Sequence, residues 1–529
     1  MTGAKPRVAW QGLGLWNLYF FSKFFLYYAG YLDLKLLPNL AFAAALLVPM
    51  PGRWLNRLRT LLAVPVAAAL YYQDTWFPPI SRLAEREGVL NFSADYVLEL
   101  LGRFIDWRLC AALLALAVGY ALIRHWLRLT TFTLAGLAVL LTAHVNARAP
   151  SAVPQASVST SAAQAVVATD EVLDGYLAQF YRTEAERQVQ FAPLPELAKP
   201  FDILLINVCS LAWSDLQAIG LKNNPFFEQM DVVFENFNSA TSYSGPAAVR
   251  LLRASCGQGS HTSLYSQAPK QCLLLENLHA LGYEKDILMT HDGKFEGYLD
   301  RVREQGVTGP SLNTDALPTV IRGFDGTPIK RDLHILDLWW QNRSQQSHAR
   351  SVLFYNTTTL HDGNRIVTAD GKVRPASFAE RANNLFADLQ QFIQHIENSD
   401  RAMLLVFVPE HGVGLSGDRL QISGMRELPS ADLTHVPVAV KAINFGPSSK
   451  GPVYLKAPSS YLAISELISR ITQLTEQPQG LDWDSLLADL PQTPNVSENQ
   501  GSVVLDYQGT SYIRMKEQQG WMPYPTRSP

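Results

Sequence analysis

The chain has 529 residues, with 44 basic and 47 acidic side chains and a formal net charge of −3. That length suits two or three domains, and the near-neutral balance excludes the basic footprint of a nucleic-acid binder. Its 4 cysteines are too few for a disulfide-stapled scaffold.

Hydrophobic residues make up 47% of the chain, and they concentrate in residues 1–145. The N-terminus is no cleavable signal peptide, because it lacks a small-residue cleavage site and further apolar runs follow. About five runs have membrane or near-membrane length, some falling short of the roughly 20 residues of a perpendicular helix. They are Leu13–Tyr31, Leu36–Met50, Thr60–Tyr72, Leu109–Ile123 and Leu129–Val145. A buried helical core is the weaker reading, since these runs leave too little polar surface to cover them. Lys5 and Arg7, then Arg53, Arg57 and Arg59, then Arg124 and Arg128 mark the cytoplasmic segments by the positive-inside rule. Everything after about residue 146 is then expected outside the cytoplasm. The loop Gln73–Arg108 is external too, and its stretches Ile80–Val89 and Tyr96–Trp107 suit a membrane surface. Lys23, inside the first run, either snorkels or meets a partner.

The next stretch, Val145–Val167, is rich in Ala, Ser, Val, Thr and Pro and reads as a linker. The expected domains are a transmembrane part (1–145), a linker (146–168) and an α/β domain with a mostly parallel central sheet (169–529). A helix is predicted over Asp170–Gln190. Beyond it, strand and helix patterns alternate. Asp202–Val208, Ser351–Asn356, Ala402–Val408 and Val436–Ile443 predict strands, with weaker ones at Asp231–Glu235 and Asp286–Met289. Phe378–Glu397 and Tyr461–Leu474 predict helices, and Val503–Tyr507 with Ser511–Met515 a terminal hairpin.

Ser244 falls where a helix N-cap belongs, between a polar loop and a helix-forming run, a place suited to holding phosphate. A lone serine there is more often an ordinary cap. Catalysis gains weight from residues at other strand ends, where α/β folds place their sites. Cys209 follows the Asp202–Val208 strand, Glu410 and His411 follow Ala402–Val408, and His361 lies shortly after Ser351–Asn356. A thiolate, a carboxylate and an imidazole, with Ser244 as fourth ligand, match the donor chemistry of catalytic zinc, which would lower the pKa of the Ser244 hydroxyl. Glu410 and His411 are adjacent and converge only if the chain turns just past the strand. Cys110, inside an apolar run, reads as inert packing. Cys256 and Cys272 flank a Gly/Ser-rich loop, and a bridge between them would brace the Ser244 helix in an oxidising compartment. The external placement of this region agrees. His291 follows a strand and is a weaker candidate for the pocket, and His435, at a strand start, reads as structural.

The motifs NVCSLAWSDL (207–216), SATSYSGPAAVRLLRASCG (239–257), TTTLHDGN (357–364), PEHGVGL (409–415) and GDRLQISGMRELPS (417–430), behind the apolar N-terminal runs, carry a resemblance over nearly the whole chain. The chain resembles the alkaline phosphatase/sulfatase superfamily, within it the membrane phosphoethanolamine transferases, and most closely the cellulose-modifying BcsG family. Cys209 in place of a carboxylate, Ser244 in place of threonine and Glu410 in place of aspartate separate it from the lipid A-modifying relatives. The resemblance implies a zinc site of Cys209, Ser244, Glu410 and His411, with Ser244 as nucleophile. It implies that His361 binds phosphate or acts as acid–base, and that Tyr243 and Arg426 position substrate. It further implies phosphatidylethanolamine as donor, the 6-hydroxyl of nascent cellulose as acceptor, cellulose synthase subunits as partners, and an inner-membrane protein with its N-terminus cytoplasmic and its catalytic domain periplasmic. Other readings are a phosphoglycerol transferase and a non-catalytic scaffold of a polysaccharide synthase. A formylglycine sulfatase is disfavoured, since Ala248 stands where its motif needs arginine.

Overall fold

The computed structural model describes residues 12–29, 32, 34–50, 52–75, 93–103, 105, 107–148, 168–309, 312–447, 451–475, 480–516 and 520–525. Most of the expected linker and the Ile80–Val89 stretch lie outside them. The chain divides into two compact units, one of residues 1–85 and 100–165, the other of 86–99 and 166–529.

In the first unit, helices Trp16–Tyr28, Leu36–Leu47, Arg53–Asp74, Trp107–Ile123 and Leu129–Arg148 fall on the five apolar runs. Phe20, Leu26, Phe42, Leu46 and Leu137 form its core, while Leu61, Leu62, Leu114, Leu122, Phe132 and Val139 point outward and exposed. Among the described residues no helix is long and apolar enough to cross a membrane, which departs from the expected spans. The first two helices, of 13 and 12 residues, are short. The 22-residue helix opens on Arg53, Arg57 and Arg59, which shortens its apolar part. Lys23 has a partner: its Nζ donates to Asp74 Oδ2 at 2.7 Å and Asn39 Oδ1 at 2.8 Å, all three side chains buried. The pairing satisfies a charge that would otherwise be costly to bury.

The second unit is built on a seven-stranded sheet: β1 (Asp202–Val208), β2 (Val232–Asn238), β3 (Glu284–Met289), β4 (Ser351–Thr357), β5 (Met403–Pro409), β6 (His435–Ile443) and β7 (Val453–Leu455). Their spatial order is β7-β2-β6-β5-β1-β4-β3. β6 runs antiparallel to both its neighbours, and the other pairings are parallel. All seven residues of β1 are buried because alternate side chains feed two cores. Ile203 and Leu205 join Phe234, Val352 and Leu404 on one face, and Leu204 and Ile206 join Leu353, Phe386 and Phe407 on the other. The Phe378–Glu397 helix covers that second face with Leu385, Phe386, Leu389, Phe392 and Ile393, and Ser377 caps its start. The first helix of the unit ends at Ala185, earlier than the predicted Gln190. The C-terminal hairpin Ser502–Tyr507/Thr510–Met515 sits inside a small four-stranded antiparallel sheet.

Within Tyr96–Trp107 the outcome is mixed: Leu98 and Trp107 are exposed, whereas Tyr96, on the Ala94–Arg103 helix, is buried in the second unit. Its hydroxyl donates to Asp362 Oδ2 at 3.1 Å, and its ring meets Phe324.

Cys256 and Cys272 form a disulfide across a separation of 16 residues, just after the Ser244–Leu252 helix. Closing a loop of that size restricts the unfolded chain by about 3 kcal/mol. The Cys256→Ser/Cys272→Ser double variant is expected to lose roughly that much stability, about 2–3 kcal/mol, in denaturant unfolding of the full-length protein, with the Ser244 helix the first element to lose amide-exchange protection.

Candidate active site

Three loops meet at the carboxyl edge of the sheet. β1 delivers Cys209, β5 delivers Glu410 and His411, and the loop after β2 delivers Ser244. Backbone bonds fasten them together: Cys209 N donates to Thr357 O, Glu410 N to Val208 O and Leu211 N to His411 O. Asp215, buried, accepts from the amides of Ala212, Val413 and Leu415 and so clamps the first loop to the second. At Gly412 an added Cβ would stand 2.7 Å from Ala212 and 2.8 Å from Asp215, so only glycine lets the two loops approach this closely. Ser210, next to Cys209, has φ 70°, and Ala240, in the loop before Ser244, φ 60°. Both are left-handed conformations that non-glycine residues seldom adopt and that surrounding contacts must hold.

Ser244 is the first residue of its helix, with Tyr243 as N-cap, so it stands one position inside the expected cap. Its hydroxyl turns away from the helix amides, lying 3.1 Å from His411 Nε2 and 3.3 Å from Cys209 Sγ. The donor atoms of Cys209, Glu410 and His411 lie within 4.8 Å of one another, and all three side chains are buried. His411 Nδ1 donates to Gly412 O at 2.8 Å, leaving Nε2 with its lone pair toward the cluster.

Burial dominates the electrostatics. It pushes the Cys209 thiol up to about 12, with the Glu410 charge adding to the effect. It raises Glu410 to about 7. Burial, then the Arg426 charge, holds His411 well below its usual value, so the imidazole is neutral. Glu410 Oε1 is within hydrogen-bond reach of Asn356 Nδ2 (2.8 Å) and Tyr298 Oη (3.0 Å). Glu410 Oε2 is buried with no partner among the described residues. An orphaned carboxylate oxygen, a thiol and a neutral imidazole converging on one point fit a divalent cation of zinc type.

Of the supporting residues, the sequence points only to His291, which does line the cavity. Asn356 also bonds Asn207 and accepts from His291 Nε2 at 2.7 Å, which makes His291 a wall residue satisfied on both ring nitrogens. Tyr298 and Asn207 complete the set. Asn499, from the C-terminal sheet, donates to Ser242 Oγ and Glu427 O and accepts from Thr241, joining the Ser244 loop to the Arg426 loop. Polar residues inside strands give no sequence signal of this role; only the register reveals their partners.

A cavity of about 160 Å³ opens on the cluster, lined by Tyr243, Ser244, Cys209, Glu410, His361 and Arg426 among others. Arg426 Nη1 sits 3.3 Å from His411 Nε2 and 3.4 Å from Ser210 Oγ. Arg301, missed by sequence reasoning, lines the same cavity and leaves no room for a Cβ at Gly245. His361 stacks on Phe324 with ring centroids 4.3 Å apart, and its Nδ1 lies 2.8 Å from Asp362 O. Burial, reinforced by Arg426, lowers it to about 4, so it too is neutral. His435 is half-buried at the start of β6 and is not among the lining residues.

Fold and site define an α/β protein that holds a serine hydroxyl inside a buried three-donor cluster suited to a metal ion. A family model described as cellulose biosynthesis protein BcsG C-terminal domain matches residues 157–521, and one described as the BcsG N-terminal domain matches residues 16–142. The chain belongs to the BcsG family of cellulose biosynthesis proteins. It is 42% identical to the Cellulose biosynthesis protein BcsG of Escherichia coli (strain K12) over 550 residues, spanning 98% of this chain and 97% of that protein. The BcsG protein of Salmonella typhimurium (strain LT2) is 42% identical over 547 residues, with the same shares covered. Among solved structures, the integral membrane protein lipooligosaccharide phosphoethanolamine transferase A from Neisseria meningitidis aligns with TM-score 0.42 and 14% identity, over 90% of this chain and 98% of that one.

Glu410 makes the metal-free protein pH-sensitive. Its folded value of about 7 lies above its usual 4.5, so the native state keeps a proton that the unfolded chain has lost. The stability this contributes is present below the unfolded value and lost as pH rises through about 7. Asp202, Asp215 and Asp332, each raised to about 6 by burial, act in the same direction. Melts in chelator are therefore expected at higher temperature near pH 5 than near pH 8, with a shallower slope in Glu410→Gln. Zinc is expected to raise the melting point more at pH 8 than at pH 5, because binding needs deprotonated ligands.

Proposed function

We propose that this chain is a zinc-dependent phosphoethanolamine transferase that takes phosphoethanolamine from phosphatidylethanolamine onto Ser244 and passes it to the 6-hydroxyl of glucose in nascent cellulose. The observation that carries the reading is the position of Ser244 Oγ, 3.1 Å from His411 Nε2 and 3.3 Å from Cys209 Sγ beside the unpartnered Glu410 Oε2. Membership of a family named for cellulose biosynthesis supports the acceptor.

Cys209, Glu410 and His411 would hold the zinc ion, which when bound acidifies the serine hydroxyl and polarises the phosphoryl oxygens. The remaining work falls to the chain. Arg426 and Arg301 neutralise the phosphodiester, and Tyr243 walls the entrance to the nucleophile. Ser244 Oγ bonds to phosphorus as the bond to the glyceride oxygen breaks, and the serine proton departs with diacylglycerol. His361, a neutral imidazole beside the same cavity, is placed to carry it. In the second step His361 accepts the proton of the incoming sugar hydroxyl, that oxygen bonds to phosphorus, and Ser244 is released as its alcohol. Dividing one difficult displacement into two is the general gain of covalent catalysis.

The first unit is the membrane part of this reading, with residues 1–145 in the inner membrane, the N-terminus cytoplasmic, and residues 169–529 periplasmic as the catalytic domain. Outward leucine, valine and phenylalanine side chains on its helices support lipid as their surroundings. The Cys256–Cys272 disulfide supports an oxidising compartment for the second unit. The acceptor chain and subunits of a cellulose synthase complex are the expected partners.

Incubating the zinc-loaded protein with phosphatidylethanolamine and digesting it is expected to yield a Ser244 peptide heavier by one phosphoethanolamine. Ser244→Ala is expected to abolish the adduct and lower transfer by about 10³-fold or more. A phosphoglycerol adduct would replace the donor, and wild-type transfer by Ser244→Ala would overturn the mechanism.

A further inference from the structure

The cavity at Ser244 is lined by two arginines, Arg301 and Arg426, and also by aromatic rings and oxygen acceptors. Phe324 stacks on His361, Phe295 meets Phe324 edge-on at 5.0 Å between centroids, and Tyr96 approaches Phe324 at 5.8 Å. Tyr96 is held hard in place. A Cβ at Gly363, whose φ is +77°, would stand 2.4 Å from its ring, and its hydroxyl is bonded to Asp362.

Asn364 lines the same cavity and is only 4% exposed. Its amide nitrogen donates to Thr358 O at 2.7 Å and Thr359 O at 3.3 Å, two carbonyls that fix which end of the side chain is which. Its Oδ1 is therefore an acceptor, buried and without a partner among the described residues. Thr358 Oγ1, on the same wall, is likewise unpartnered. Asp325 is oriented by the amide and hydroxyl of Thr327 and makes no salt bridge among the described residues. A buried acceptor left empty costs about 1–3 kcal/mol, so such a wall is built for something that donates.

We infer that the wall formed by Phe324, Phe295, Tyr96, Asn364, Thr358 and Asp325 seats the ammonium end of the transferred group, so that the site selects a primary amine two carbons from phosphorus. The inference rests on the transferase reading above and names the group that reading leaves unrecognised. A protonated amine supplies three donors and a positive charge. It satisfies Asn364 and Thr358, answers the Asp325 carboxylate, and lies against aromatic faces that attract cations. The anionic phosphate meets Arg426 and Arg301, so both charges of a zwitterion find counterparts among the lining residues. A sugar hydroxyl would satisfy Asn364 equally well but leaves the Asp325 charge unanswered.

The test uses the full-length zinc-loaded protein and two chromogenic diesters, 4-nitrophenyl 2-aminoethyl phosphate and 4-nitrophenyl 2-hydroxyethyl phosphate. The readout is the ratio of their kcat/KM values, in which any general loss of activity cancels. The wild type is expected to favour the amine by about 10-fold or more. Asp325→Asn, which keeps the turn acceptor, and Phe324→Leu are each expected to bring the ratio to about 3-fold or less. Ser244-dependent turnover with no preference, or a preference that both variants retain, overturns the inference and leaves the transferase reading standing. So does a weakened KM for a cello-oligosaccharide acceptor with the ratio intact, which reassigns the wall to the sugar. Absence of Ser244-dependent turnover of either diester overturns the transferase reading itself.

Discussion

The site depends on one pairing, the parallel register of β1 against β5. Val208 stands opposite Pro409, so the next residues on the two strands, Cys209 and Glu410, leave the sheet side by side. Glu410 N bonds back to Val208 O, and Leu211 N to His411 O, so the two chains stay joined past the end of the ladder. Without that register the thiol and the carboxylate would face different crevices. Parallel strands buried on both faces resist slipping, because a one-residue shift would move every side chain into the opposite core.

The apparent disadvantage of the cluster is its purpose. Two acids and an imidazole are buried together, and burial opposes their charged or deprotonated forms. Such an arrangement is poor as a protein core and good as a trap for a dication, whose charge reverses the cost. The shell of Asn356, Tyr298 and Asn207 saturates one oxygen of Glu410 and leaves the other bare. Arg426 and Arg301 add positive charge to the lining of the same cavity.

Much of this was legible in the chain. The seven-residue apolar run before Cys209 and the run before Glu410 could only be buried strands, and strand ends are where α/β sites form. The amphipathic period of Phe378–Glu397 predicted its helix to the residue. What stayed hidden was whatever depends on pairing between distant segments. Asn207 and Asn356 look like blemishes in apolar strands until the β1–β4 register sets them opposite each other. Tyr96 reads as an interfacial aromatic, yet Gly363 leaves a place for its ring that no periodicity announces. The arginines at the head of the Arg53–Asp74 helix were read as topology markers, and they also shorten its apolar stretch.

Asn499 joins the nucleophile loop to the Arg426 loop from a strand near the end of the chain. A ribosome makes that residue long after Ser244, and it reinforces the bond from Ser242 Oγ to Arg426 O that joins the two loops directly. The full set of bonds between these loops therefore waits for the end of the chain. The last segment to be synthesised thus completes an edge that the earlier strands only begin.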